Sequence, residues 1–220
     1  MSESELWYES VPEVFRDWPE FAFVEDLPDL PGVLLLGDSI SMSYTRPVRQ
    51  RLEGIANVHR VPDNGRSTRF VLAEFERFLG EKPWKIIHFN CGIHDITQFD
   101  EDGEVVEEGA VGAQQVPLAE YKANLAALVG RLRTTKAILI WASTTPVQEG
   151  TRARSSADVV RYNQAAATVM ADRGILVNDL YALALPRMTA LQPPLNVHFT
   201  EAGAAVLGER VAAVIREQLD

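Results

Sequence analysis

The segment VLLLGDS, at residues 33–39, joins an apolar run to glycine, aspartate and serine. Consecutive apolar residues are typical of a parallel strand that is buried on both faces. Similar short runs recur along the chain, and we predict strands at 33–36, 57–61, 86–89, 137–141 and 175–177. Longer segments with helical character lie between them. Strands that alternate with helices predict an α/β fold, here a three-layer α/β/α sandwich around a five-stranded parallel sheet.

Three helices can be placed from their apolar spacing. They cover residues 116–133, residues 158–173 and a C-terminal stretch in which Thr200 is the predicted N-cap. The 220 residues fit one domain, 1–220. Residues 1–31 are rich in aromatics and prolines and predict an N-terminal brace packed on that domain. Residues 98–115 are acidic and contain Asp102-Gly103, which predicts a hairpin insertion.

The charge balance and cysteine content exclude several classes of protein. Acidic residues number 31 against 21 basic ones, a net charge of -10 that disfavours nucleic acid as a partner. Cys91 is the sole cysteine, so no internal disulfide is expected. The N-terminus does not resemble a secretory signal and no apolar run approaches the roughly 20 residues that span a bilayer. We therefore expect a cytoplasmic protein with no membrane partner, and the oligomeric state is not indicated.

Small and polar residues follow four of the predicted strands, at 37–39, 63–66, 90–95 and 143–146. In a parallel sheet the ligand crevice lies beyond the carboxyl ends of the strands. Ser39 falls where a strand meets a helix, and the free N–H groups of a helix start stabilise negative charge on a substrate oxygen. This position suits a nucleophile. The alternative is that Ser39 only caps a helix that begins near Met42.

A serine nucleophile needs a general base, and His198 is the candidate. It precedes Thr200 and the last helix, in a loop that can return to the carboxyl edge of the sheet. The alternative is a solvated loop histidine without a catalytic role.

Four blocks, taken together, resemble the SGNH/GDSL hydrolase family. They are Gly37-Asp38-Ser39, Gly65 after Asn64, the stretch at 92–95, and His198. The resemblance covers nearly the whole chain from Val33. It implies a flavodoxin-like sheet and ester hydrolysis without a cofactor. It also implies that Ser39 attacks the substrate while the N–H groups of Ser39 and Gly65, with one side-chain donor, bind the oxyanion.

The chain departs from the family pattern at the third block. The family has an asparagine donor where this chain has His94, and a neutral imidazole can still donate one N–H. We therefore take His94 as the third oxyanion donor. Alternatively, His94 hydrogen-bonds Asp95 or Asp38 and organises the loop, and Asn64 or Asn90 donates instead. Asp38, Asn64, Asn90 and Asp95 are in either case candidates for substrate contact or support.

A second departure lies three residues before His198, where the family has an aspartate and this chain has Leu195. The orienting group only has to accept a hydrogen bond from the imidazole. We expect a backbone carbonyl near Leu195 or Asn196 to serve, which leaves a Ser39–His198 dyad.

Other reactive residues receive structural interpretations. Cys91 is expected to be buried, and His59 and His88 lie in predicted strands. Asp38, His94 and Asp95 show no recognised metal-ligand spacing, so no metal is expected. Four arginines could face the crevice and meet an anionic or hydroxylated substrate: Arg66, Arg69, Arg152 and Arg154.

The sequence thus predicts a serine esterase that acts on a small carboxylic ester. The family resemblance suggests an acetyl ester of a carbohydrate, and small-molecule esters or acylated sugars are the expected partners. An alternative is a carbohydrate- or small-ligand-binding domain with little or no turnover. A nucleotide binder is disfavoured because the chain has no phosphate-loop pattern.

Overall fold

The central element of the structure is a sheet of five parallel strands. The structure is a computed structural model that describes residues 1–107 and 110–219. The strands are β1 Gly32–Leu36, β2 Asn57–Arg60, β3 Ile86–Phe89, β6 Ile138–Ala142 and β7 Leu176–Asn178. All pairings between neighbours are parallel. Their order across the sheet is β2-β1-β3-β6-β7. The five predicted strands are confirmed, with ends displaced by at most one residue.

Nine α-helices are found in the described residues, and they include the three that were predicted. They are α1 Glu3–Ser10, α2 Ser39–Arg51, α3 Thr68–Ala73, α4 Phe75–Leu79, α5 Leu118–Leu132, α6 Ser156–Asp172, α7 Leu180–Ala184, α8 Met188–Leu191 and α9 Glu201–Arg216. Short 3-10 turns lie at Glu13–Phe15, Pro19–Phe21, Arg133–Thr135 and Leu185–Arg187. Thr200 is the N-cap of α9, as predicted, and its side chain accepts from the N–H of Gly203 at 3.1 Å.

The helices cover both faces of the sheet. Along β1, Leu34 and Leu36 face one apolar cluster, while Val33 and Leu35 face another. The first cluster contains the buried sides of α3 to α6, and the second contains those of α2 and α7 to α9. This alternation in a strand buried on both sides explains why β1 is apolar throughout. The predicted three-layer α/β/α architecture is confirmed.

The N-terminal residues pack beside α2 and the edge strand β2. Phe21 and Val11 are buried against Met42 of α2. The indole N–H of Trp7 donates to the carbonyl of Phe21 at 2.7 Å. The side chain of Asn57, at the start of β2, bonds the backbone of residues 27 and 30. These contacts attach the N-terminal segment to α2 and to β2.

A two-stranded antiparallel ribbon follows β3. Its strands are β4 Gln98–Phe99 and β5 Ala113–Gln114. The Asp102-Gly103 pair lies in a turn that is closed by a hydrogen bond from the N–H of Asp100 to the carbonyl of Glu104 at 2.9 Å. Residues 108 and 109 of the predicted insertion lie outside the described residues. None of the described helices is both long and apolar enough to cross a membrane.

Candidate active site

Ser39 is the first residue of α2, directly beyond the carboxyl end of β1. Asp38 is the N-cap of this helix, because its carboxylate accepts from the N–H of Ile40 at 2.9 Å. The alternative that Ser39 caps a helix near Met42 is therefore wrong. The cap, Asp38, and the candidate nucleophile, Ser39, are neighbouring residues with different roles. Ser39 is half-buried, and its N–H belongs to the first helical turn, where amides lack intrahelical acceptors.

His198 lies beside Ser39 although the two are far apart in sequence. The Nε2 atom of His198 is 3.0 Å from the Oγ atom of Ser39. This separation is within the range that proton transfer requires. The loop before α9 brings the imidazole to the carboxyl edge of the sheet, where the first turn of α2 begins.

The other ring nitrogen of His198 faces the side chain of Asn196. The Nδ1 atom is 3.0 Å from Oδ1 of Asn196, and the same oxygen accepts from the N–H of His198 at 2.9 Å. An amide oxygen only accepts hydrogen bonds, so Nδ1 carries the proton and Nε2 presents its lone pair to Ser39. The expected backbone carbonyl is replaced by a side-chain amide.

Leu195 occupies the position of the aspartate found in the family. It is 50% exposed and adopts a left-handed backbone conformation with φ of 52°. Its N–H donates to Oε1 of Gln148 at 3.2 Å. This turn places the following residue, Asn196, next to the imidazole. The acceptor has thus moved by one position in the sequence.

The pKa of His198 is lowered by its partial burial and by the positive charge of Arg154. At neutral pH the imidazole is therefore neutral, which is the form that can take a proton from Ser39.

Gly65 lies against the loop that follows β1. Its N–H donates to the carbonyl of Gly37 at 2.9 Å, and a Cβ atom at Gly65 would lie 2.7 Å from that oxygen. A glycine is needed here for the close approach of the two loops. The expected donation from Gly65 to a substrate oxygen is not available in this arrangement, because the N–H already has an acceptor.

The ring of His94 makes no hydrogen bond to any described residue, whereas its backbone carbonyl accepts from Thr97. The alternative in which it bonds Asp95 or Asp38 is therefore not what the structure shows. Burial and the charges of Arg154, Arg66 and His198 lower the pKa of His94 to about 4. The imidazole is neutral at neutral pH and retains one N–H with which it can donate.

Asn90 and Asp38 form a buried pair beneath the nucleophile candidate. The amide of Asn90 donates to the Asp38 carboxylate at 3.0 Å, and its oxygen accepts from the hydroxyl of Tyr44 at 3.4 Å. Burial raises the pKa of Asp38 to about 6. Both side chains are committed to internal bonds. Asn90 therefore supports the loop beneath Ser39, and one of its two amide N–H groups is engaged by Asp38.

Asn64 and Asp95 also act within the protein. The side-chain oxygen of Asn64 accepts from the N–H of Arg66 at 2.9 Å. Asp95 accepts from the N–H and the hydroxyl of Thr68, at 3.0 and 2.5 Å, and burial raises its pKa to about 6. These bonds fix the start of α3 next to Gly65. Asp95 only accepts, whereas the amide nitrogen of Asn64 has no acceptor among the described residues and keeps its N–H groups for a ligand.

The rival reactive residues have structural environments. Cys91 is fully buried, and burial raises the pKa of its thiol well above the ordinary value. His88 contacts the amide of Asn178 at 3.1 Å, and His59 contacts Asp26 at 2.6 Å. These contacts agree with the structural roles expected for both histidines. Within the described residues no group of three or more candidate ligands could hold a metal ion.

The four arginines noted in the sequence divide into two pairs. Arg69 is ion-paired with Glu120 and Arg152 with Glu107. Arg154 instead donates from Nε to the carbonyl of Ile93 at 3.1 Å. The guanidinium of Arg66 stacks over the ring of Phe70 at 4.5 Å. Sequence reasoning had included Arg154 among four arginines that could meet the substrate, and it had expected a backbone carbonyl near Leu195 or Asn196 to orient His198. It missed the side chain of Asn196 as the orienting group.

Several solved structures share the fold of this chain. No curated protein matches the sequence. Among solved structures, the lipase/acylhydrolase from Enterococcus faecalis matches with a TM-score of 0.71 at 18% identity, covering 87% of this chain and 98% of that one. The acetylxylan esterase Axe2 from Geobacillus stearothermophilus matches with a TM-score of 0.66 at 19% identity, covering 86% of this chain and 94% of that one. An acetyl xylan esterase, AlAXEase, gives 0.67 at 13% identity, with coverages of 84% and 99%.

At such identities the structural likeness establishes the fold alone. The family is established by the sequence model of GDSL-like lipase/acylhydrolases, which matches residues 35–206. This range begins within β1 and ends within α9, so it includes both Ser39 and His198. The chain belongs to the GDSL-like lipase/acylhydrolase family and is a carboxylic ester hydrolase.

Proposed function

We propose that this protein hydrolyses small carboxylic esters through an acyl-enzyme on Ser39, with His198 as the general base. The observation that carries the proposal is the 3.0 Å separation between Ser39 Oγ and His198 Nε2. The bond from Nδ1 to Asn196 supports it, because that bond leaves Nε2 free to accept a proton.

In the first step, Oγ of Ser39 attacks the acyl carbon while its proton passes to Nε2 of His198. The imidazole becomes a cation, and the carbonyl oxygen of the ester becomes an oxyanion. When the tetrahedral intermediate collapses, the bond to the alcohol oxygen breaks and His198 gives its proton to that oxygen. The alcohol leaves and Ser39 holds the acyl group.

In the second step, a water molecule attacks the acyl carbon and gives one proton to Nε2 of His198. The ester bond to Ser39 then breaks, and the proton returns to Oγ of Ser39. The carboxylic acid is released and the original state is restored. Asn196 stabilises the imidazolium in both steps by accepting from Nδ1, although a neutral amide does so less strongly than a carboxylate.

The oxyanion is stabilised by the N–H of Ser39 at the start of α2 and by His94. The helix start contributes partial positive charge at this point. The ring of His94 has no competing acceptor among the described residues. Gly65 joins these donors only if its bond to Gly37 opens.

An acetylated carbohydrate is the substrate class that we favour. Two of the similar structures are acetylxylan esterases, which supports this choice. The imidazole of His198 is exposed, so the reacting centre is accessible to an ester on a larger molecule.

The test is to treat the folded protein with a fluorophosphonate and to locate the adduct by peptide mass. We expect the adduct on Ser39, with loss of activity on 4-nitrophenyl acetate, and no labelling of Ser39→Ala. Ser43→Ala is the matched control, since Ser43 lies one turn further along α2 and its hydroxyl donates to the carbonyl of Ile40. A folded protein that hydrolyses no ester and leaves Ser39 unlabelled would support the binding-domain alternative instead.

A further inference from the structure

Two arginines near the candidate active site have no acidic partner. Among the described residues, neither Arg66 nor Arg154 forms an ion pair. Arg69 and Arg152, their neighbours in sequence, are both paired with glutamates. In a chain with a net charge of -10, unpaired cations beside a reactive centre are a distinctive feature.

Arg154 is held in place by the loop that precedes α6. The preceding residue, Ala153, is buried and has a left-handed φ of 57°. Its carbonyl accepts from the N–H of Gln98 in β4 at 2.9 Å. The Nε atom of Arg154 donates to the carbonyl of Ile93, the residue before His94. The half-buried guanidinium is thus tied to the third block of the site, and its terminal nitrogens remain without partners in the described structure.

Arg154 lies beside the third block of the site, because its Nε atom is 3.1 Å from the carbonyl oxygen of Ile93. Its positive charge lowers the pKa of both His94 and His198. It also acts on Asp38, the cap of α2.

Arg66 supplies a second positive charge next to His94. It follows Gly65 directly, in a left-handed conformation with φ of 48°. Its backbone is held by Asn64, and its guanidinium rests on the ring of Phe70. Its charge also lowers the pKa of His94. The side chain is exposed, so its polar atoms remain available to a ligand.

The two buried carboxylates of the site are already engaged. Asp38 is 1% exposed and accepts from Ile40 and Asn90. Asp95 is fully buried and accepts from Thr68. Neither lies within ion-pairing distance of a guanidinium. A partly desolvated arginine without a counterion favours an anion from solution, and the guanidinium fork is suited to carboxylates.

We propose that Arg154 and Arg66 select esters that carry a carboxylate or a similar anionic group near the scissile bond. The inference rests on the proposed function at Ser39 and names its substrate class. The anionic group can belong to the acyl part or to the alcohol part. Arg154 is the main specificity-determining residue, because its position is fixed by a backbone carbonyl.

The experiment compares kcat/KM for two matched pairs of esters, after subtraction of spontaneous hydrolysis. For the acyl part, the pair is the 4-nitrophenyl monoester of adipic acid and 4-nitrophenyl hexanoate. For the alcohol part, it is 3-acetoxybenzoate and 3-acetoxybenzamide. In at least one pair we expect the anionic ester to be preferred by about tenfold or more, with a preference that falls as ionic strength rises.

Substitutions then identify the source of the preference. Arg154→Gln should lower the anionic-to-neutral ratio about tenfold, Arg154→Lys should restore part of it, and Arg66→Gln should lower it less. Arg69→Gln is the matched control and should keep the ratio, because that guanidinium is already paired with Glu120. If Arg154→Gln does not fold, Arg66→Gln, at an exposed position, still tests the inference.

The possible failures are distinguishable. If neutral esters are hydrolysed and Ser39 is labelled, but neither pair shows an anionic preference, the inference about Arg154 and Arg66 is wrong and the proposed function stands. A preference that survives both arginine substitutions also overturns it. If no ester is hydrolysed and Ser39 is unlabelled, the proposed function fails and the inference fails with it.

Discussion

Replacing Asn196 by aspartate tests how His198 is oriented. The substitution is nearly isosteric and keeps an acceptor 3.0 Å from Nδ1 of His198, but it adds a negative charge. The variant therefore changes one property of the contact, the electrostatic stabilisation of the imidazolium. The neutral amide supplies little of this stabilisation.

The size of the effect follows from the geometry. Both His198 and Asn196 are exposed, so the interaction is screened by solvent and is worth about 1 kcal/mol rather than the larger figure for a buried pair. This corresponds to an increase of about 0.7 in the pKa of His198. The same energy acts on the transition state, in which His198 is cationic, and raises the plateau of kcat/KM about fivefold.

The pH dependence has a defined sign. His198 must be neutral to act, so kcat/KM falls as the pH falls through its pKa. In Asn196→Asp the acidic limb of the profile should move to higher pH by about 0.7 units. On the plateau, kcat/KM of the variant should exceed that of the parent. At low pH the two values should converge, because the higher plateau is offset by the smaller fraction of neutral His198.

The assay is kcat/KM for 4-nitrophenyl acetate measured across the acidic limb and the plateau. Asn196→Ala is the control, and loss of the acceptor should lower the plateau by about tenfold. If Asn196→Asp folds normally but leaves both the plateau and the limb where they were, residue 196 does not hold the imidazole. The assignment of the orienting group would then be refuted.

Three further predictions concern the core of the site and the sheet. In Gly37→Ala the new Cβ would lie 1.9 Å from Oδ1 of Asn90, so urea titration should show a free energy of unfolding that is lower by about 1–3 kcal/mol. Gly130→Ala is the control, because a Cβ there meets open space, and its free energy of unfolding should be unchanged or higher. Burial lowers the pKa of His88 to about 3, so the folded protein becomes less stable as the pH falls below about 6.5, where the unfolded chain binds a proton at this histidine. Relative to His88→Gln, the free energy of unfolding of the parent should fall by about 1.4 kcal/mol per pH unit in this range. Parallel plots of unfolding free energy against pH for the two proteins would contradict this. His94→Ala should lower kcat about 100-fold and His94→Asn should restore part of it, while an unchanged kcat in the alanine variant would remove His94 from the oxyanion site.

The fold was predictable because its main signal is local. Strands buried on both faces are mostly apolar, and β1 and β6 show this along their whole length, while β3 has one polar residue, His88. The start of helix α9 could be placed because a single residue, Thr200, caps it through its own side chain. Short helices such as α3, α4, α7 and α8 carry too few turns for a periodic pattern and were not predicted individually.

The meeting of Ser39 and His198 was predictable from topology. Residues that follow parallel strands share one edge of the sheet, and a loop before a C-terminal helix can return to it. The identity of the orienting group was not predictable in this way. It depends on the left-handed turn at Leu195, which moves the acceptor from a backbone carbonyl to the side chain of Asn196.

The engagement of Gly65 and Asn90 was also beyond sequence reasoning. Both were candidate donors by their positions in the blocks. Whether a donor is free depends on which acceptor lies within 3 Å, and here Gly37 and Asp38 take these bonds. Such pairings are set by how loops pack against one another, which no spacing in the sequence encodes. The unpaired state of Arg154 has the same origin.

The most direct test of the account is the rate at which a fluorophosphonate labels Ser39 in the parent protein and in His198→Ala, at a pH where His198 is neutral. General-base assistance is worth about 100-fold or more, so we expect labelling at Ser39 to slow by at least that factor while the variant remains folded. Equal rates in the two proteins, or labelling at another residue, would contradict the claim that His198 activates Ser39.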